Sequence, residues 1–228
     1  MKNNGIERPV LSVDVVVFSI YDGHIRVLMS RREKEPFKGA PALPGAAVQI
    51  DETLLAAARR ALAEKTGFTL TVNEEIYLDQ LATFDALYRD PRGRTVSVAY
   101  MGITRVKPEN SEKMIWKKVS DISKGGLPFD HDYIVETAVA RLKGKLRYTN
   151  IAKGFLPDTF RIEELQDVYE AILKCSLNRT NFRNKLLKIG LIEQISILTE
   201  AVGKKGGRPP HLYRFTQELI EAVDRDFL

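Results

Sequence analysis

Apolar residues follow two spacings along the chain, and each predicts a set of elements. Leu11 to Phe18 (LSVDVVVF) is almost continuously apolar and rich in valine, the mark of a buried strand. Tyr21-Asp22-Gly23-His24 predicts a turn and Ile25 to Met29 a second strand, so the two are expected to form a hairpin. Further strands are expected over Ile76 to Phe84, Thr95 to Ile103 and Met114 to Val119, with Asp90-Pro91-Arg92-Gly93-Arg94 as an exposed turn. Ser120-Asp121 marks a helix start. Phe129-Asp130-His131 opens another helix, running to about Lys143 with Ile134, Val135, Ala138 and Leu142 inward. His131, placed after an Asp at a helix start, is read as a cap or packing residue.

The stretch from Leu43 to Phe68 (LPGAAVQIDETLLAAARRALAEKTGF) organises this first half. Leu43-Pro44-Gly45 is a turn. Thr53 to Thr66 is rich in good helix formers, with Glu52 at the end of the dipole that favours negative charge and Gly67 as the stop. Leu54, Leu55, Ala58, Leu62 and Ala61 are expected on its apolar face. Strands flanking this helix, with a last helix packing back, predict an α/β fold built as a mixed-sheet α/β/α sandwich.

After Lys143 the pattern changes. Lys143 to Thr159 is basic, then Gly- and Pro-containing, and is expected to be an inter-domain passage, dividing the chain into residues 1–148 and 149–228. Phe160 to Leu173 has helical spacing, with Ile162, Leu165, Val168, Tyr169 and Ile172 on one face. Lys174 to Leu177 breaks it. Asn178 to Ile189 is a second helix with Phe182, Leu186 and Ile189 inward and a basic outer face. Leu191 to Ile195 and His211 to Phe215 are expected strands on either side of a basic tip, Lys204 to Pro210. Helix, break, basic helix, strand, basic loop, strand is the order of a winged helix-turn-helix.

Composition narrows the classes. With 228 residues, 44% hydrophobic and 29% charged, the chain is long enough for one large or two small domains of ordinary globular make-up. No run of 18 apolar residues exists, and the first residues lack the apolar core of a signal peptide. The single cysteine, Cys175, fits a reducing cytoplasm, and no zinc-ligand spacing is present. The net charge of +5 is mild, but its distribution is uneven. Residues 174–214 hold nine basic side chains against two acidic ones, leaving the rest of the chain slightly acidic. A basic helix alone is ordinary solvated surface. Combined with the break and the basic loop, it makes duplex DNA the expected partner, through Arg179, Thr180, Asn181, Arg183, Asn184, Lys185, Lys188, Lys204, Lys205 and Arg208.

The stretch around Thr53 to Phe68 resembles the Nudix hydrolase signature, G-x5-E-x7-R-E-U-x-E-E-x-G-U, with every spacing kept. The first Gly falls on Ala46, the first Glu on Glu52 and the Arg on Arg60. The next Glu falls on Ala61, U on Leu62, and the Glu-Glu pair on Glu64 and Lys65, before Gly67 and Phe68. In that family these carboxylates lie a helical turn apart and hold Mg²⁺. Here Ala61 has no oxygen and Lys65 is a cation, so Glu64 and Glu52 are what survives. The resemblance therefore implies a Nudix-type fold without hydrolysis, without a metal and without another cofactor.

A degenerate Nudix domain followed by a winged helix resembles the Nudix-related transcriptional regulators, the NrtR family of bacteria. The matching features are Ala63-Glu64-Lys65-Thr66, Asp90 to Arg94 before Val96 to Tyr100, and Phe129-Asp130-His131. In the second half they are Phe160 to Ile172, Asn181-Phe182-Arg183, and Gly207-Arg208-Pro209 before Leu212-Tyr213. The resemblance implies a homodimeric repressor on palindromic operator DNA, with ADP-ribose, a related nucleotide or a sugar as effector. Arg31, Arg32 and Phe37, with Gly45, are the candidate ligand residues, since a diphosphate needs cations and an adenine an apolar or aromatic wall. As residues alone, Arg31 and Arg32 are equally a surface pair and Phe37 a packing aromatic. Pro41 and Ala46 depart from the family pattern at the mouth of that pocket. Two other readings stay open. One is an active hydrolase of nucleoside diphosphate derivatives with an accessory tail. The other is an RNA-binding or protein-docking module on an inactive domain.

Overall fold

The computed structural model describes residues 8–68, 77–195, 211–217 and 220. They form two compact units: the chain through Ser19 with Ile25–Val139, and Ile20–His24 with the chain from Ala140 onward.

The first unit is built on one mixed sheet. Strands β1 (Val10–Tyr21) and β2 (His24–Arg31) form the expected hairpin, with Asp22 and Gly23 both at positive φ in the turn. A two-residue turn of this kind matches the twist of the strands it joins. Two short strands, β3 (Pro41–Ala42) and β4 (Gly45–Ala47), lie in what the sequence predicts as loop. Their pairing is non-local: β4 runs antiparallel to β1, with Gly45 opposite Asp14. The sheet order is β3-β2-β1-β6-β5, where β5 is Tyr77–Phe84 and β6 Thr95–Ile103. Strand β7 (Ile115–Lys118) pairs with β2. Strand β1 is parallel to β6 from Val10 opposite Thr95 to Phe18 opposite Ile103. Helices cover both faces, which is why β1 is apolar at consecutive rather than alternate positions.

The alternation of side chains still sorts the faces. Val13, Val15 and Val17 join the core beneath helix α1 (Leu54–Thr66), together with Leu28, Val98, Tyr100 and Trp116. Asp14 therefore points to the other face. Thr53 caps α1 by accepting from the Ala56 amide at 3.2 Å, and Gly67 closes it in the left-handed conformation at φ 69°. The helix buries Ala57, Ala58, Ala61, Leu62 and Thr66. Leu55, expected inward, is exposed, because the stripe that meets the sheet is turned toward Ala57 and Ala61. Helix α2 (His131–Tyr148) buries Ile134, Val135, Ala138 and Leu142 as expected, but continues five residues beyond Lys143. In place of a helix at Ser120-Asp121 there is one 3₁₀ turn, Val119–Asp121.

In the second unit the expected passage, Lys143 to Thr159, is largely helical. It holds the end of α2 and a 3₁₀ helix, Ile151–Phe155, with Ile151, Ala152, Phe155 and Leu156 buried. Helix α3 (Ile162–Leu173) buries the five residues its spacing predicts. Lys174 ends it at φ 55°, and Glu170 ties down the break by accepting from the Leu177 amide at 2.7 Å. Asn178 then caps helix α4 (Arg179–Lys188) by accepting from the Asn181 amide at 3.0 Å. Phe182 packs edge-on to Tyr169, and Leu186 is buried beside them. Ile189 is half-buried. Gly190 at φ 70° stops α4, and strands β8 (Ile192–Ile195) and β9 (Leu212–Phe215) pair antiparallel. Tyr213 also exchanges two backbone hydrogen bonds with Phe160, at 2.8 and 3.0 Å, giving the hairpin a third partner. The expected winged helix-turn-helix order is present. Its basic tip, including Lys204, Lys205 and Arg208, lies outside the described residues.

Candidate functional site

Asp14, the one charged residue of β1, is the centre of a buried polar network. Its Oδ2 accepts from Ser97 Oγ at 2.6 Å and from Arg89 Nη2 at 3.1 Å. Its Oδ1 lies 3.5 Å from His131 Nε2. Arg89 also grips Asp130 through Nη2 at 2.7 Å and Nε at 2.9 Å, a two-pronged pair that positions the head of α2. His131 Nδ1 accepts from the Leu43 amide at 3.1 Å. An amide can only donate, so in this geometry the ring proton sits on Nε2, toward Asp14. His131 is thus a buried positioning residue, close to its expected packing role. Burial opposes ionisation of Asp14, but His131, Ser97 and Arg89 outweigh it and hold the carboxyl well below the usual carboxylate range.

Above this network opens a cleft of about 930 Å³. Arg31, Arg32 and Gly45 line it, and so do Lys65, Arg92 and Phe129. Phe37 is not among the lining residues. It is 45% exposed and packs its ring edge-on against Phe129 at 5.2 Å. The aromatic wall is therefore Phe129, with Arg32 over the ring at 4.6 Å and Arg92 at 5.6 Å. The lining carries eight basic side chains and three carboxylates among the described residues. Burial and the nearby Arg92 both lower the pKa of Arg32. Gly45 is needed because a Cβ there would lie 2.4 Å from Asp14 Oδ1 and 2.8 Å from the Val13 carbonyl oxygen. The segment expected as an exposed turn splits in two: Asp90 is buried and bound to Arg92 at 2.6 Å, while Pro91 to Arg94 are exposed.

The box residues divide by role. Arg60 binds Glu52 at 2.6 Å and the Ala47 carbonyl at 2.9 Å, clamping the loop after β4 onto α1. It also reaches Glu64 at 3.3 Å. Both surviving glutamates are thus Arg60 partners. Ala61 is fully buried in the core, and Lys65 faces the cleft, 4.0 Å from Glu33. Among the described residues no three His, Cys, Asp or Glu side chains gather to hold a metal ion.

In the second unit, α4 turns Arg179, Thr180, Asn181, Asn184, Lys185 and Lys188 to solvent, with Arg183 half-buried. Arg179 is engaged by Glu163 at 2.9 Å, whereas Lys185 and Lys188 stand on the open face. Arg183 bonds Asn184 Oδ1 at 3.0 Å, which holds the two side by side. Cys175 is exposed in the break between the helices. No described helix is long and apolar enough to cross a membrane.

Sheet, helices and cleft define a Nudix fold, and the second unit a winged helix. Residues 10–137 match the NUDIX domain, and residues 153–215 match the NrtR DNA-binding winged helix domain. The chain is 36% identical over 214 residues to the ADPR-responsive transcriptional repressor NtrR of Acinetobacter baylyi, spanning 91% of this chain and 82% of that protein. It resembles Shewanella oneidensis NrtR complexed with a 27mer DNA at a TM-score of 0.73 and 28% identity, over 96% of this chain and 99% of that one. The Nudix domain of the Shewanella protein complexed with ADP ribose matches at a TM-score of 0.53 and 30% identity, over 62% of this chain and 94% of that one. The chain belongs to the NrtR family of Nudix-related transcriptional regulators.

Proposed function

We propose that this chain is a cytoplasmic, homodimeric repressor that binds operator DNA through its winged helix and senses ADP-ribose, or a closely related nucleotide, in the cleft of its Nudix domain. The charge of the cleft carries the choice of ligand. Eight basic side chains against three carboxylates leave an excess of positive charge around an aromatic, which suits a diphosphate joined to a base, whereas a neutral sugar would leave that excess unmatched. Arg31, Arg32 and Arg92 face the phosphates, with Phe129 and the Phe37 ring packed against it as the apolar side. Gly45 gives the loop its close approach. Binding proceeds without hydrolysis, since Ala61 and Lys65 supply no carboxylate and Glu52 and Glu64 are held by Arg60. On DNA, the solvent-facing side of α4 enters the groove and the basic tip of the hairpin follows the backbone. We place the boundary between sensing and DNA-binding parts at residues 148 and 149, where α2 ends.

The test is a mobility-shift titration of the purified chain against its own upstream DNA, with ADP-ribose added. Specific binding to paired half-sites about one helical turn or a multiple apart is expected. ADP-ribose should alter that affinity by about 5–150-fold, and DNA should alter ADP-ribose affinity by the same factor. Equal binding to random RNA, or ADP-ribose turnover with Mg²⁺ at rates of roughly 1 per second or more, would overturn the reading.

A further inference from the structure

The cleft holds more positive charge than its own carboxylates offset, and those carboxylates are mostly committed. Asp14 is bound by Arg89 and Ser97, and Asp90 by Arg92. The third, Glu33, is exposed and stands 4.0 Å from Lys65. Helix α1 presents an ammonium to this space rather than an oxygen ligand. Lys65 lines the cleft with 41% of its side chain exposed, Ala61 is sealed in the core, and Glu52 and Glu64 are turned to Arg60. The divalent cation that a Nudix fold implies does not fit this donor set, because hard cations need several oxygen ligands and tolerate no ammonium among them.

We propose that the cleft takes the diphosphate group of its ligand without any divalent cation, and that Lys65 supplies from α1 the positive charge which neutralises it. This deepens the nucleotide reading of the cleft and rests on it. A guanidinium offers a rigid fork, suited to two phosphate oxygens at once. An ammonium on a flexible stem is a compact charge that follows a phosphate as it settles. Arg32 and Arg92 hold their guanidiniums over Phe129 on one side, Arg92 with Nε and Nη2 on Asp90 and Arg32 with Nε on the Pro36 carbonyl, and Lys65 provides the mobile charge from the helix. The pair with Glu33 is exposed and long, so an arriving phosphate displaces it easily. Mg²⁺ in solution then competes for the diphosphate instead of bridging it to the protein.

The experiment is calorimetric titration of the full chain with inorganic pyrophosphate, in EDTA and again in Mg²⁺, with ADP-ribose titrated in parallel. The expected result is pyrophosphate binding in EDTA that Mg²⁺ leaves unchanged or weakens. Lys65→Met should weaken it by about tenfold to hundredfold, the range for a lost hydrogen bond to a charged group. The same variant should flatten its salt dependence, and Lys65→Arg should retain most of the affinity. Unchanged thermal unfolding of the Met variant excludes a folding defect. No pyrophosphate binding, binding that requires Mg²⁺, or full affinity in Lys65→Met overturns the proposal. ADP-ribose separates the two claims. If pyrophosphate binds through Lys65 while ADP-ribose does not bind, the metal-free anion site stands and the ligand assignment falls. If ADP-ribose binds with Lys65→Met indifferent, the ligand stands and the role of Lys65 falls.

Discussion

Arg89 Nη2 lies 3.1 Å from Asp14 Oδ2, and through this pair the turn before β6 holds the middle of β1. The two residues are 75 positions apart in sequence, and both side chains are more than nine-tenths buried. The same guanidinium binds Asp130, so β1, the loop after β5 and the head of α2 converge on one cation at the floor of the cleft. Removing one member of such a pair costs more than the pair itself contributes, because the survivor is left charged and unmatched in a poorly solvated place.

Asp14→Asn is expected to destabilise the first unit by about 3–5 kcal/mol at neutral pH. The dependence on pH has a definite sign. The folded pKa of Asp14 is depressed, so its contribution is present above the unfolded value of about 3.9 and is lost as pH falls through the folded one. The stability gap between the chain and the variant should therefore narrow between about pH 4 and pH 2. Trp116, the single tryptophan and a buried member of this core, reports unfolding by its fluorescence. A gap that stays constant across that range would mean Asp14 is not ionised in the folded chain.

Gly45→Ala places a methyl 2.4 Å from Asp14 Oδ1 and 2.8 Å from a backbone oxygen. Either β4 lifts from β1 or the carboxylate leaves its partners. A loss of roughly 1–3 kcal/mol is expected, the range for overpacking a close contact. Weaker ligand binding should accompany it, since Gly45 lines the cleft. Denaturant unfolding followed at Trp116, with a ligand titration on the same variant, checks both.

Ala61→Glu looks from the box alone like the repair of a metal ligand. The fold argues otherwise: Ala61 is 0% exposed and shares the core with Val13, Val15 and Leu62. The new carboxylate would enter the core without a partner. A loss of roughly 3–5 kcal/mol is expected, with no Mg²⁺ site detected by calorimetry, even when Lys65→Glu is added. Stable folding together with tight Mg²⁺ binding by the double variant would show that α1 can turn this position into the cleft.

Arg183→Ala with Lys185→Ala should weaken operator binding while the chain stays folded, because Phe182 and Leu186 carry the packing of α4. A lost base contact costs roughly 1–3 kcal/mol. Unchanged affinity in a mobility-shift titration would mean that α4 does not read the DNA.

By itself the sequence determined the elements whose signal is local. The five buried residues of α3 were legible because a 3.6-residue period is complete within four turns. The β1–β2 turn, the Thr53 to Gly67 limits of α1 and the helix-break-helix order were legible for the same reason: each is a property of neighbours along the chain. The candidate cleft was legible in part. Arg31, Arg32 and Gly45 lie beside the box in sequence, whereas Phe129, the aromatic that lines the cleft, lies far from it and meets Phe37 only in the fold. One signal pointed to the floor, a lone Asp inside the valine run of β1, yet nothing local named its partners. Ser97, Arg89 and His131 meet Asp14 only once β1 pairs parallel to β6 and α2 packs back over the sheet. Likewise the letter at 61 showed that an oxygen was missing. Its side, core rather than cleft, was set by which stripe of α1 the sheet could bury. Such choices follow from contacts between residues far apart in sequence, and no local period encodes them.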